Sequence, residues 1–185
     1  MSDETNKKTT VKSEIFEWAK VIVTALVLAF IITRFVIPSR VQGESMFPTL
    51  VEKDYLVVNR MSYRVGEPKD KDIVVFKSNL LQDDGVNKKD LVKRIIAVGG
   101  QHIQIKDSKV YVDGILQNET PYIHENVTEG NIDIVVPKDK VFAMGDNRQR
   151  SLDSRAPEVG LVDKSNIIGK VSLRLYPFDK IGTVE

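Results

Sequence analysis

Hydrophobic residues follow two different patterns along the chain, and the pattern changes at Pro38. Residues 18–37 are almost all apolar, with Lys20 and Arg34 as their only charges. As a helix, 20 residues at about 1.5 Å each are long enough to cross the hydrocarbon core of a bilayer. We therefore predict a transmembrane helix over 18–37, stopped by Pro38 and preceded by a polar tail over 1–17.

Two other structures for this apolar stretch are less consistent with the sequence. A cleavable signal peptide has a shorter apolar region and a small-residue cleavage site soon after it, and no A-x-A pattern follows here. A buried helix of a globular core has a polar face, which residues 21–33 almost lack. We therefore favour a membrane helix that is retained in the mature protein.

The cations that flank the helix indicate its orientation. Four lysines precede or begin the apolar stretch: Lys7, Lys8, Lys12 and Lys20. Only Arg34 and Arg40 lie near its far end. Because the more basic flank stays in the cytoplasm, we expect a cytoplasmic N-terminus and an extracytoplasmic domain over 38–185.

After Pro38 the pattern is typical of strands. Short segments rich in Val and Ile are separated by turn residues: DYLVVNRMSY, DIVVFK, LVKRIIAV, HIQIK, KVYVDGILQ, NIDIVV, KVFAM and IIGKVSLRLYPF. Asp113-Gly114 predicts a tight hairpin turn, and the polar stretches 80–90 and 119–131 predict longer loops. The sequence therefore predicts a mainly β fold, an antiparallel domain with little helix.

Composition narrows the chemistry that this domain can perform. Cysteine is absent, so thiolate nucleophiles and thiolate metal ligands are excluded. The only histidines are His102 and His124, which make a poor metal site without cysteines nearby. The net charge of +1, with no basic stripe, argues against a nucleic-acid partner.

Ser45 lies in the segment GESMFPTL, shortly after the membrane helix. A glycine before it and a proline after it predict an irregular backbone that could present the hydroxyl to a substrate. A serine in a turn is nevertheless most often only a turn residue. Nothing local distinguishes Ser45 as a nucleophile.

Lys93 has a more unusual setting, in the predicted strand LVKRIIAV. Strand alternation places four residues on one face: Leu91, Lys93, Ile95 and Ala97. A lysine on an apolar face either reaches solvent at the rim or is buried with a lowered pKa. A buried, neutral lysine could accept the proton of a serine hydroxyl, so that no histidine would be needed.

A third candidate segment follows the predicted strand KVFAM. Residues 145–155 contain three arginines, two aspartates and two serines. Such a density of charge is compatible with a solvated loop, but it could equally form a fixed hydrogen-bond network behind a site.

Together these segments resemble one family. A serine in G-x-S-M-x-P-T-L after a membrane helix, a lysine in V-K-R-I-I-A-V-G-G, and the block G-D-N-R-x-x-S-x-D-S-R match type I signal peptidases. YLVVNRMSY resembles a fourth block of the family, which is largely structural. All four occur in the family's order, and the single anchor and short chain are similar to its compact Gram-positive form.

The resemblance implies a signal-peptidase-like β domain in which Ser45 is the nucleophile and Lys93 its general base. Ser151 falls where the family has a serine that orients the lysine amine. Asp153 and Arg155 match a supporting ion pair. By the same resemblance, the carboxylate of Asp146 is placed to pair with Arg94.

The resemblance implies two further site residues, Gly43 and Met46, less directly. Some family members carry a hydroxyl residue two positions before the nucleophile, where it helps bind the oxyanion. That position is Gly43 here, so the second oxyanion donor is not identified. Residues near Met46 and in 91–98 are expected to line two shallow apolar pockets for small substrate residues.

The implied substrates are exported preproteins, cut after an A-x-A-like site at the membrane, with no metal, nucleotide or organic cofactor. The implied partners are preprotein signal peptides and membrane lipid, and the secretion machinery is a further candidate.

Two other functions are compatible with parts of the sequence. One is a self-cleaving Ser-Lys repressor, disfavoured by the membrane helix and by the lack of a DNA-binding segment. The other is an inactive anchored domain that binds exported proteins, disfavoured by the presence of both Ser45 and Lys93.

Overall fold

A computed structural model of the chain describes residues 3–82, 84–123 and 127–184. The predicted loop histidine, His124, lies outside these residues. The chain divides into two compact units, residues 1–36 and residues 37–185.

The first unit is a single helix, α1, which spans Asp3–Phe35. Its part from Val11 to Phe35 is long and apolar enough to cross a membrane. The helix extends into the predicted tail because residues 3–17 contain no glycine or proline.

Pro38 does not end the helix, contrary to prediction. The helix ends at Phe35, and Pro38 lies inside the first strand, Val36–Arg40. This strand is at the edge of its sheet, the position in which a strand tolerates proline.

The second unit is built from antiparallel strands, which confirms the predicted fold class. Twelve strands are described: β1 Val36–Arg40, β2 Tyr55–Asn59, β3 Ile73–Leu81, β4 Lys88–Val98, β5 His102–Lys106, β6 Lys109–Val112, β7 Ile115–Leu116, β8 Ile132–Val135, β9 Lys140–Met144, β10 Val162–Asp163, β11 Ile167–Tyr176 and β12 Gly182–Thr183. A larger sheet has the order β1-β2-β11-β3-β4-β9-β10, with β12 paired to β11. A smaller sheet has the order β7-β6-β5-β8.

The tight turn between β6 and β7 forms as predicted. Asp113 and Gly114 both have positive φ, 51° and 78°, which a two-residue hairpin of the primed type requires. β3 and β4, in contrast, extend into the stretch 80–90, so the loop between them is shorter than predicted.

Five short helical segments of the described residues were not predicted as such, and three of them lie in segments singled out above. α2, Ser62–Val65, occupies the end of the segment expected to continue β2. α3, Thr120–Ile123, lies within the predicted loop 119–131. A single 3-10 turn, Arg148–Arg150, lies within the charged segment 145–155.

The central strand β4 contacts all three hydrophobic clusters of the unit, one of them through Val92. Ile95 belongs to one cluster, whereas both Ile96 and Ala97 belong to another. The cause is a register shift against β9 between Ile95 and Ala97. The bulge turns Ala97 away from the face that Leu91 and Ile95 share, so the predicted alternation is wrong at this one residue.

Candidate active site

Ser45 lies in a compact turn between β1 and β2. The N–H of Phe47 donates to the carbonyl of Glu44 at 3.0 Å, and that of Leu50 donates to the carbonyl of Met46 at 2.8 Å. Met46 and Leu50 are buried in the cluster that also contains residues of β2 and β3. The turn is therefore anchored through its apolar side chains, while Ser45 stays partly exposed.

Lys93 approaches Ser45 from the middle of β4. Its Cα is paired with that of Val74 on β3, and the residue is only 2% exposed. The amine Nζ lies 2.7 Å from Ser45 Oγ, within hydrogen-bond distance. The structure thus brings the two sequence-predicted residues together although 48 residues separate them in the chain.

Burial changes the acid-base behaviour of this amine. Removal from solvent lowers the pKa of Lys93 from 10.5 to about 8. The carboxylates of Asp153 and Asp146 oppose this shift, and the guanidinium of Arg155 adds to it. A substantial fraction of Lys93 is therefore unprotonated at mildly alkaline pH, as a general base requires.

The neighbouring Arg94 is also 2% exposed, but it is paired. Its Nε and Nη2 donate to the two carboxylate oxygens of Asp146 at 2.9 and 2.8 Å. Nη1 donates to the carbonyl of Lys71 at 3.1 Å. The expected pairing of Arg94 with Asp146 is confirmed, and it is a forked, fully buried ion pair.

The Asp153–Arg155 pair is also present. Arg155 Nε donates to Asp153 Oδ1 at 2.9 Å, and the N–H of Gly145 donates to Asp153 Oδ2 at 3.0 Å. Burial alone would raise the pKa of Asp153, but the hydrogen bonds and charge of Arg155 hold it below its usual value. This carboxylate therefore stays ionised and closes the loop 145–153 on itself.

Ser151 does not contact the amine of Lys93 by a hydrogen bond. Its Oγ is buried and forms no hydrogen bond of regular geometry with the described residues, although it lies close enough to the Asp153 carboxylate to help lower the pKa of that group. It packs against the α-carbon of Gly145, where any Cβ would collide both with this hydroxyl and with the carbonyl oxygen of Ser45. The orienting role of Ser151 stays a prediction, whereas Gly145 is required for the close approach of the two segments.

Asn147 binds the backbone carbonyls of Glu44 and Ser45, a role for which the sequence contains no local signal. Its N–H donates to the carbonyl of Ser45 at 3.0 Å, and its Nδ2 donates to the carbonyl of Glu44 at 3.0 Å. The side chain of Glu44 accepts a further bond from Arg150 at 2.7 Å on the exposed side. Three bonds thus tie the nucleophile turn to the charged segment.

A cavity of about 590 Å³ opens in front of the Ser45–Lys93 pair. Its apolar wall contains five side chains: Val41, Leu56, Val75, Leu91 and Val92. Gly43 also lines it, with a φ of +79° that favours glycine and open space where a side chain would stand. Met46 is 1% exposed and packs in the core, so its observed contacts are those of a structural residue.

Comparison with known proteins identifies the family of this chain. The family model described as signal peptidase, peptidase S26, matches residues 15–176. Signal peptidase IB of Staphylococcus aureus (strain COL) is 36% identical over 91% of this chain and 93% of its own length. Signal peptidase I of Bacillus licheniformis is 39% identical over 95% of this chain and 96% of its own length.

A solved structure is also similar, that of a signal peptidase I from Enterococcus faecalis V583. It has a TM-score of 0.46 and 22% identity, and the match covers 58% of this chain and 99% of that one. The family match and the two relatives each extend over most of the sequence. The chain therefore belongs to the signal peptidase family, peptidase S26, and is a serine peptidase.

Proposed function

We propose that this protein is a membrane-anchored endopeptidase that removes N-terminal signal peptides from exported preproteins, with Ser45 as nucleophile and Lys93 as general base. The observation that carries the proposal is the 2.7 Å approach of Lys93 Nζ to Ser45 Oγ at the wall of an open cavity. The relatives named above bear the names of signal peptidases, which favours signal peptides as the substrates.

In the acylation step, neutral Lys93 accepts the hydroxyl proton of Ser45 while Oγ attacks the scissile carbonyl carbon. The tetrahedral intermediate collapses as the C–N bond breaks, and the Lys93 ammonium returns its proton to the leaving amine. Lys93 then removes a proton from water, which attacks the acyl carbon, and the ammonium returns this proton to Ser45 Oγ as the acyl C–Oγ bond breaks. One amine serves all proton transfers, and its pKa of about 8 suits both directions near neutral pH.

The backbone of the nucleophile turn supports one oxyanion donor. The carbonyl of Glu44 faces Asn147, and the N–H of Ser45 belongs to the same peptide group. In a trans peptide the two groups point in opposite directions, so this N–H is directed away from Asn147. We assign it as a donor to the oxyanion. Gly43, with its unusual φ, shapes the approach of the substrate to it.

The apolar wall of the cavity favours cleavage after an A-x-A-like site. Branched side chains such as Leu56, Val75 and Val92 line it with apolar surface, which suits small residues with methyl side chains. The residues immediately before the cleavage point would lie against this wall. Replacing the alanine before that point by phenylalanine is expected to abolish cleavage, measured by N-terminal sequencing of the products.

Cleavage of a preprotein in detergent tests the proposed pair of residues. Ser45→Ala and Lys93→Ala are each expected to reduce turnover by about 10³-fold or more, because neither residue replaces the other. Ser165→Ala and Lys138→Ala are matched controls, since both residues are exposed and lie outside the lining of the cavity. We expect them to retain turnover within about threefold. Near-normal turnover in either dyad variant would contradict the proposal.

The proposed topology places the N-terminus in the cytoplasm and residues 38–185 outside, following the excess of lysines before the apolar stretch. The chain has no cysteine, so single cysteines can report on each side. Ser165→Cys is expected to react with a membrane-impermeant maleimide on intact cells, and Ser13→Cys only after lysis. The reverse labelling would contradict this topology.

A further inference from the structure

Arg148 is a buried cation that none of the proposed catalytic steps uses. Its Nη2 and Nη1 donate to the two carboxylate oxygens of Glu119 at 2.6 and 2.9 Å. Nη1 also donates to the hydroxyl of Thr128. Its Nε donates to the carbonyl of Gly145 at 3.1 Å, so the same guanidinium links Glu119 and Thr128 to the candidate site.

Tyr122 fills the space between this arginine and the one beside Lys93. The guanidinium carbon of Arg94 lies 4.3 Å from the centroid of the Tyr122 ring, and that of Arg148 lies 5.9 Å from it. Arg94 holds Asp146, and Arg148 holds Gly145. The aromatic ring therefore packs against both cations that fix the start of the charged segment.

The buried charges around the site balance only when Glu119 is included. Arg94 pairs with Asp146, and Arg155 pairs with Asp153. Arg148 is fully buried, and Glu119 is its paired carboxylate at 2.6 Å. Because arginine does not deprotonate in proteins, the loss of Glu119 would leave an uncompensated buried cation.

Gly145 in turn contacts the backbone of the candidate nucleophile. The α-carbon of Gly145 packs directly against the carbonyl oxygen of Ser45, and Asn147 donates to the same oxygen at 3.0 Å. We infer that Glu119 is a positioning residue, which acts through Arg148 to hold Gly145 against the backbone of Ser45. This inference rests on the proposed role of Ser45.

The variant Glu119→Gln tests the inference in the full-length protein in detergent, with a preprotein as substrate. It keeps the shape of the side chain and removes its charge. We expect kcat to fall about 30-fold with KM within about twofold, since the reacting groups lose their alignment while the cavity stays intact. Glu67→Gln is the matched control, because Glu67 pairs with Lys164 on the exposed surface at 2.6 Å. It is expected to change neither constant.

The pH profile supplies a second measurement. Lys93 is faced by Ser45 and, from the charged segment, by Asp146, Asp153 and Arg155, while Arg94 is its neighbour on β4. If Gly145 and its neighbours loosen, water reaches Lys93 and the midpoint of the kcat profile rises above that of the wild type. The midpoint in Glu67→Gln should equal that of the wild type.

A double variant separates positioning from stability. Glu119→Met combined with Arg148→Met removes both buried charges. The melting temperature of this double variant should therefore exceed that of the single variant Glu119→Met, which keeps an unpaired Arg148. The kcat of the double variant should nevertheless stay low, because Gly145 has lost its donor. Recovery of kcat together with melting temperature would overturn the positioning role.

The outcomes also separate this inference from the proposed function. Wild-type kcat and pH midpoint in Glu119→Gln would overturn the inference alone, provided that Ser45→Ala and Lys93→Ala are inactive. Turnover in either of those two variants would contradict the proposed function itself. The predicted result is a low kcat in Glu119→Gln and in the double variant, and the absence of turnover in Ser45→Ala and Lys93→Ala.

Discussion

Lys93 and Arg94 are adjacent on β4, equally buried and both cationic at acid pH, yet their surroundings are opposite. Arg94 lies in a fork of two carboxylate oxygens, whereas the Nζ of Lys93 faces the hydroxyl of Ser45. Burial is compatible with a permanent charge only where a partner compensates it. A lysine has the alternative of losing its proton, and this difference makes one residue structural and the other a candidate base.

The largest effect is expected from removing the partner of Arg94. Asp146→Ala leaves the guanidinium buried without its carboxylate and should lower the free energy of unfolding by about 3–5 kcal/mol. Urea denaturation in detergent, followed by far-ultraviolet circular dichroism, measures the change. A loss below about 1 kcal/mol would mean that the stability of the fold does not depend on this ion pair.

Removing the charge of Lys93 should instead raise the free energy of unfolding. The pKa of Lys93 is about 8 in the folded protein and 10.5 when unperturbed, so the unfolded chain binds more protons between these values. Stability of the wild type therefore rises with pH from 8 to 10.5. Lys93→Met should be more stable by about 3 kcal/mol at pH 7, and the difference should vanish above pH 10.5.

The same denaturation series at pH 7, 9 and 11 measures this prediction. A constant difference between the two proteins across that range would show that Lys93 is not titrating there. A stabilised but inactive variant would support an amine that is retained for chemistry at a cost in stability.

A conservative substitution at Arg94 should have a smaller effect on stability. Arg94→Lys keeps a cation opposite Asp146 but loses the forked geometry and the bond to the Lys71 carbonyl. We expect a loss of about 1–2 kcal/mol, read from the urea midpoint. An unchanged midpoint would indicate that charge alone holds this segment.

The smallest effect concerns the midpoint of the pH–rate profile. In the wild type, kcat/KM should rise with pH, with its midpoint near pH 8, and level off about one pH unit above that, following the pKa of Lys93. Asp153 raises that pKa, so Asp153→Asn should move the midpoint to lower pH. A midpoint that moves upward would contradict the electrostatic account of this site.

The parts of the fold that depend on local chemistry could be predicted from sequence. The turn at Asp113-Gly114 follows from the positive φ that these residues tolerate. Alternation held along β4 as far as the bulge at Ile96, which no sequence pattern indicates because it is set by the register against β9. α2 was missed because its four residues are too few to establish a helical period.

The candidate site was predictable only in part. Pairing Ser45 with Lys93 came from family resemblance, since 48 residues separate them and no local pattern links them. Glu119 was missed altogether, because its partner lies 29 residues away. One signal was available: residues 145–155 hold three arginines against two aspartates, an excess that implies carboxylates from elsewhere in the chain.

An amine with a pKa of about 8 also ties this protein to its surroundings. Under the proposed topology the cavity faces the external medium, whose acidity the cell does not control. At pH 6 only about one Lys93 in a hundred would be neutral, given a pKa of about 8. Acidification of the habitat would then slow the maturation of secreted proteins, and the amount of enzyme in the membrane would have to rise to keep export at the same pace.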